Sequence, residues 1–137
     1  MSFVLDGSVT LAWCFKDERT PALDALLVRM ADDGAFVPAI WRLEIANGLR
    51  TGVKRGRIDA SERDGHLADF AGMHIVTDSE TDRYAWTTTQ RLAERFDLTP
   101  YDASYLELAQ RLSLPLATLD KALRSAAKRA GVDVVPL

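Results

Sequence analysis

An α/β fold is predicted for this chain: a three-layer α/β/α sandwich around a central, mostly parallel sheet of about five strands. Two observations predict it. Short apolar runs of strand length alternate along the chain with longer segments of helical period. Strands joined through helices pair in parallel, and the helices cover both faces of their sheet. No repeat, low-complexity segment or Gly/Ser linker interrupts the pattern, so residues 1–137 are expected to form one domain.

The elements follow in order. Phe3-Val4-Leu5 is a short strand running straight into Asp6-Gly7-Ser8. Ser8 is placed to cap a first short helix reaching Phe15. Thr20-Pro21 opens a second helix by the cap-then-proline signal. Leu23, Leu26, Leu27 and Met30 then follow helical spacing, and the helix ends near Gly34. Ala35-Phe36-Val37 is the second strand, stopped by Pro38. Ile40 to about Val53 reads as a third helix with Leu43, Ala46, Leu49 and Val53 roughly on one face. Asp59 to Phe70 suggests a fourth, weakened by Gly65. His74-Ile75-Val76 is the third strand. Tyr84–Phe96 and Pro100–Leu112 are long helices. Leu114–Leu119 is the fourth strand, Lys121–Ala130 the last helix, ended by Gly131, and Val132–Val135 a fifth strand.

Bulk properties narrow the class. A chain of 137 residues buries roughly two-thirds of its unfolded surface. Its composition, 47% hydrophobic and 27% charged, is that of an ordinary globular protein, and the net charge of −3 excludes a protein that binds nucleic acid through overall basicity. The single cysteine, Cys14, cannot close an internal disulfide, which suits a reducing compartment. No run approaches the roughly 20 apolar residues of a membrane span. The opening residues lack the pattern of a signal peptide. A cytoplasmic protein with no membrane association is expected.

Four acidic residues stand where apolar sequence would be expected. Asp6 ends the first strand, Glu44 interrupts Ala39-Ile40-Trp41-Arg42-Leu43-Glu44-Ile45-Ala46, Asp102 precedes Ala103-Ser104-Tyr105-Leu106, and Asp120 closes Pro115-Leu116-Ala117-Thr118-Leu119. Carboxylates are seldom buried unless paired or bound to metal. Two of them about 4 Å apart repel by roughly 4 kcal/mol at an effective dielectric of 20. If the fold gathers these four, a divalent cation neutralises them or their pKa values rise. Asp6 and Asp120 fall at the carboxyl ends of strands, where open α/β sheets bind ligands. Asp102 in a helix first turn is equally well explained as a residue favoured by the helix dipole.

In their contexts these residues match a family. The chain resembles PIN-domain ribonucleases, and among them the VapC toxins of toxin–antitoxin pairs, over nearly its whole length. Phe3-Val4-Leu5-Asp6-Gly7-Ser8-Val9 is similar to the family's opening strand with its Asp-x-Ser, with Gly7 at a position usually held by a small residue. Glu44-Ile45-Ala46-Asn47-Gly48-Leu49 is similar to its second motif. Tyr101-Asp102-Ala103-Ser104-Tyr105-Leu106-Glu107-Leu108-Ala109 resembles the third, and Leu116-Ala117-Thr118-Leu119-Asp120-Lys121-Ala122-Leu123 the fourth. The resemblance implies a PIN-like sandwich and endonucleolytic hydrolysis of RNA phosphodiesters. Asp6, Glu44, Asp102 and Asp120 correspond to the catalytic acidic cluster. Their hard oxygens suit Mg²⁺, or Mn²⁺, as cofactor. Asp6 and Asp102 are the first candidates as metal ligands, with Glu44 and Asp120 completing the cluster. Ser8, Asn47 and Thr118 are candidates to orient carboxylates or water. The resemblance further implies a cognate VapB-like antitoxin, an RNA substrate and a homodimer.

Other residues are open to two readings. Ser8 caps a helix whatever the function, Asn47 can bond a helix terminus, and Thr118 suits any strand. Trp13, Trp41 and Trp86 are expected in the core or an interface, with Trp86 and Leu92 candidates for a dimer surface. Leu26, Met30 and Leu43, with Trp13 and Phe15, are candidates to wall an antitoxin groove. Lys54-Arg55-Gly56-Arg57, Arg124, Lys128 and Arg129 are solvated charges or phosphate grips, because an acidic cluster repels RNA. His66 and His74 match no ligand spacing. A haloacid-dehalogenase-type phosphatase would need a second Asp where Ser8 stands. A receiver domain would need its phosphoacceptor at Thr77-Asp78-Ser79. A non-catalytic PIN-like module that binds RNA or protein is the alternative, and the complete set of acids argues against it.

Overall fold

The computed structural model describes all residues 1–137. Four strands, β1 (Phe3–Leu5), β2 (Ala35–Val37), β3 (Ile75–Thr77) and β4 (Leu116–Ala117), pair in parallel in the order β3-β2-β1-β4. All three side chains of β1 are fully buried although successive residues point to opposite faces, so both faces of the sheet are covered there. β3 is the exposed edge. The helices are α1 (Gly7–Cys14), α2 (Pro21–Asp33), α3 (Trp41–Lys54), α4 (Ala60–Gly72), α5 (Thr81–Tyr84), α6 (Thr88–Phe96), α7 (Pro100–Leu112) and α8 (Lys121–Arg129), with a 3₁₀ turn at Lys16–Glu18. α7 packs on β1, β4, α6 and α8, while α1 packs on α2 and α3, and α3 continues to α4. None of these helices is long and apolar enough to cross a membrane.

The strand order positions the site. From β1 the chain steps outward through β2 and β3, then returns to add β4 on the opposite side of β1. The carboxyl ends of β1 and β4 therefore flank the point where the winding reverses, the usual ligand crevice of a doubly wound sheet. Asp6 follows β1 and Asp120 follows β4. The two ends are joined by the Asp6 amide donating to the Ala117 carbonyl at 3.0 Å.

Several expectations are adjusted. The fifth strand shrinks to a single parallel bridge between Leu116 and Val134, because Pro136 ends the ladder. The helix expected over Tyr84–Phe96 divides into α5 and α6 around Trp86 and Thr87, where three consecutive β-branched threonines (Thr87 to Thr89) weaken helical propensity. Gly65 does not weaken α4 enough to break it, and an Asp59–Glu62 capping box starts that helix. α3 buries Trp41, Ile45, Leu49 and Gly52 in place of the stripe expected through Leu43, which is 76% exposed. Leu26 and Met30 are core residues, and only Leu26 reaches the floor of a surface cavity, one lined by α2 and the C-terminal residues. Leu92 is likewise buried within the chain and is not available to a dimer surface, whereas Trp86 is 95% exposed.

Candidate active site

Asp6 is the N-cap of α1, yet its side chain makes no capping hydrogen bond and is aimed at the crevice. Ser8, expected to cap α1, serves Asp6: its Oγ donates to Asp6 Oδ2 at 2.6 Å. Thr118 Oγ1 donates to the same oxygen at 2.7 Å. Each hydroxyl also accepts a backbone amide, Leu119 N–H at 3.0 Å on Ser8 and Asp120 N–H at 3.0 Å on Thr118. The two side chains thus relay the amides of the β4–α8 turn onto Asp6, tying the ends of β1 and β4 together. Asp6 is 4% exposed, and burial pushes its pKa up, with Ser8, Thr118 and the amides of Ser8 and Gly7 offsetting part of the rise.

Glu44 reaches the same crevice from the first turn of α3. Its carboxyl is pushed up to about 7, first by burial, with the negative charges of Asp6 and Asp102 adding to it. Tyr105 Oη donates to Glu44 Oε1 at 3.0 Å and offsets part of the shift. The other oxygen lies close over Gly7, where an added Cβ would come within 2.8 Å of Glu44 Oε2 and push the carboxylate aside. Asp102 stands in the first turn of α7, whose cap is Thr99: Thr99 Oγ1 accepts the Asp102 amide at 3.1 Å. Capping therefore does not occupy the Asp102 carboxylate. Its pKa is also raised, by burial first and then by Asp6 and Asp120. Asp120 is exposed and caps α8 with Oδ1, which accepts the Leu123 amide at 2.8 Å.

The fold thus brings all four acids into one electrostatic group at the switch point. Asn47 lies outside it, exposed on α3 and without a side-chain hydrogen bond to the acids. Tyr105 is a partner of the acids to which the sequence reading gives no role. The available signal was Tyr105 standing three residues after Asp102 on one helix face. Trp13 and Trp41 are core residues, the latter donating from its indole to Thr10 Oγ1 at 3.0 Å.

The donor set suits a hard divalent cation: all-oxygen ligands, no thiolate or imidazole, and carboxylates that raise one another's pKa. No three of the acids converge closely enough to enclose an ion alone. A cation here would draw the rest of its coordination from water or substrate. Asp6, Glu44 and Asp102 would each be relieved of repulsion by a cation.

The titration of Glu44 gives a first prediction. In chelator, the native state holds a proton on Glu44 up to about pH 7, while the unfolded chain releases it near 4.5. The native state binds more protons over that interval, so stability falls as pH rises through it. Glu44→Gln removes the penalty. It is expected to melt a few degrees above wild type at pH 8 and like wild type at pH 4. The group is partly solvated, so the gain is roughly 1 kcal/mol. Thermal melts across this range check it, and equal pH slopes in both proteins would contradict it.

A family model for the PIN domain matches residues 3–129. The chain is 30% identical over 136 residues to "VapC ribonuclease Mb0985" of Mycobacterium bovis and, equally, to "Ribonuclease VapC9" of Mycobacterium tuberculosis, covering 97% of this chain and 98% of each relative. The fold is similar to the crystal structure of PAE2754 from Pyrobaculum aerophilum, with a TM-score of 0.70 at 23% identity over 98% of this chain and 90% of that one. With the acids gathered at the switch point, a family match spanning nearly its whole length and full-length relatives, the chain belongs to the PIN-domain family and, within it, to the VapC group.

Proposed function

We propose that this chain is the ribonuclease toxin of a toxin–antitoxin pair, a single PIN domain over residues 1–137 that cuts RNA with the help of Mg²⁺ or Mn²⁺. The observation that carries the reading is the gathering of Glu44 of α3 and Asp102 of α7 around Asp6 at the carboxyl end of β1, close enough that the Asp6 charge raises the pKa of both. Asp6 and Asp102 would hold the ion, with Glu44 and Asp120 completing its surroundings. When bound, the ion supplies an activated water and neutralises charge building on the phosphate. Ser8 and Thr118 fix the Asp6 carboxylate through their paired hydrogen bonds, so its free oxygen has one direction to face. Tyr105 holds Glu44 in the same manner.

The VapC names of the relatives support an antitoxin partner of VapB type, and the reading extends to a cytoplasmic homodimer. An apolar cleft of about 290 Å³ between α3 and α4, lined by Trp41, Ile45, Leu67 and Phe70, lies on the helix that carries Glu44 and offers the antitoxin a seat. Expressed alone, the protein is expected to slow growth of its host, Asp102→Asn to be harmless at the same abundance, and co-expression of the adjacent antitoxin gene to restore growth. A folded, abundant wild-type protein without any effect on growth would count against the reading.

A further inference from the structure

We propose that the cleft between α1, α3 and the β4–α8 turn is the subsite that holds the RNA backbone beside the scissile phosphate, with Arg55 gripping one of its phosphates. The inference rests on the ribonuclease reading and adds to it the path of the strand and the cation that receives it.

The cleft, about 400 Å³, opens from the acidic group itself: Ser8 and Asp120 line it there, and Arg55, Arg57 and the Glu18 that pairs with Arg57 line it farther along. Between them run Thr51 and Gly52 of α3 and Leu11 and Phe15 of the α1 side. The walls are made by close helix packing. Leu11 fills the space above Gly48, where a Cβ would come within 2.5 Å of its Cδ1, and Phe15 does the same above Gly52 at 2.8 Å, so these two glycines let α1 and the residue after it pack closely on α3. The lining mixes apolar surface from Leu11, Phe15 and Leu119 with the polar and charged groups of Ser8, Thr51, Arg55, Arg57 and Asp120, so both a sugar and a phosphate find a partner in it.

Two arginines line the cleft, and only one of them is unpaired. Of these two, Arg57 is already engaged: it donates to Asp17 Oδ1 at 2.9 Å and Glu18 Oε2 at 2.8 Å while lying over the Phe15 ring. Arg124 donates to the Thr118 carbonyl at 3.1 Å, and Arg129 lies over Phe96. Arg55, at the C-cap of α3, is exposed on the cleft wall and forms no side-chain hydrogen bond or ion pair. A cluster of carboxylates repels a polyanion, and a nearby unpaired cation both offsets that repulsion and selects where the strand lies. Arg57, clamped against Phe15, keeps the far wall fixed.

The test is fluorescence anisotropy with a short single-stranded RNA made uncleavable by 2′-O-methyl groups, in Mg²⁺ buffer over a range of salt. Arg55→Ala is expected to weaken binding about 3- to 10-fold and to make the salt dependence shallower by about 0.7 in log–log slope, the share of one phosphate on a single strand. Arg55→Lys should retain most of the affinity. Arg29→Ala is the control, since Arg29 donates to the Met1 carbonyl at the opposite end of the sheet, and it should bind as wild type. On cleavable RNA, Arg55→Ala should raise KM with kcat kept. All variants should melt as wild type or within a degree or two. Wild-type affinity and salt slope in Arg55→Ala would overturn the inference while leaving the ribonuclease reading intact. Binding of polyglutamate with the same Arg55 dependence would overturn the assignment to nucleic acid. A wild type that neither binds nor cuts RNA would instead remove the reading beneath it.

Discussion

Asp6→Asn is expected to lower RNA cleavage by at least about 100-fold while leaving the metal-free protein as stable as wild type, or slightly more so. Asn keeps the shape of the side chain and one oxygen for the Ser8 and Thr118 hydroxyls, which rotate to meet either end of the amide. What it removes is a buried charge that burial itself disfavours and that also raises Glu44 and Asp102. The folded protein without metal therefore gains by the change, and cation binding loses its most buried ligand. A structural ion-pair role predicts the reverse, because breaking a buried pair costs roughly 3–5 kcal/mol. Melting in EDTA and cleavage in Mg²⁺ for this one variant separate the two. A low melting temperature with cleavage retained by the folded fraction would mean that Asp6 is structural.

Arg111→Ala has the largest expected effect on stability. Arg111, on α7, donates to Glu107 Oε2 at 2.8 Å and to Asp78 Oδ2 at 2.6 Å. The side chains of Glu107 and Asp78 are only 4% and 9% exposed. Burial alone would raise the Asp78 carboxyl, but its bonds from Arg111 and Thr81 hold it below the usual value. Alanine leaves two buried carboxylates without their cation, at a cost of roughly 3–5 kcal/mol and a melting temperature lower by about 10–20 °C. The sign with pH is fixed by the lowered Asp78: its contribution is present above the unfolded value of 3.8 and is lost as the pH falls through the folded one. The gap between wild type and variant should therefore narrow in strong acid. A variant that melts with wild type at pH 7 would show that desolvation cancels the pairing.

This network also marks where sequence reasoning ends. Asp78 reads as part of a polar linker, and Glu107 and Arg111 as an ordinary i,i+4 pair. Only the packing of α7 against the β3–α5 turn makes them a buried triad. The same limit applies at the site. The four acids and the order of elements are legible in the chain because period, cap and breaker signals are local. Their convergence is not, because it depends on β4 returning to the far side of β1. Tyr105 reads as one more apolar residue in a buried helix until Glu44 is seen opposite its hydroxyl. The break at Thr87 to Thr89 was legible in principle from three β-branched residues, but the apolar stripe of Leu92 and Phe96 outweighs it when period alone is used. Exposure misleads in the same manner: Leu43 and Trp86 have core chemistry but outward positions set by how α3 and the α5–α6 link pack.

The central claim is that the acids at the ends of β1, β4, α3 and α7 cut RNA through a divalent cation. It is tested most directly by incubating purified protein with a mixed RNA pool in Mg²⁺, in excess EDTA, and in EDTA overcome by added Mg²⁺ or Mn²⁺. The account predicts discrete fragments in the first, none in the second and their return in the third, with Asp6→Asn inert throughout. Cleavage undiminished in chelator, or equal in Asp6→Asn, would contradict it.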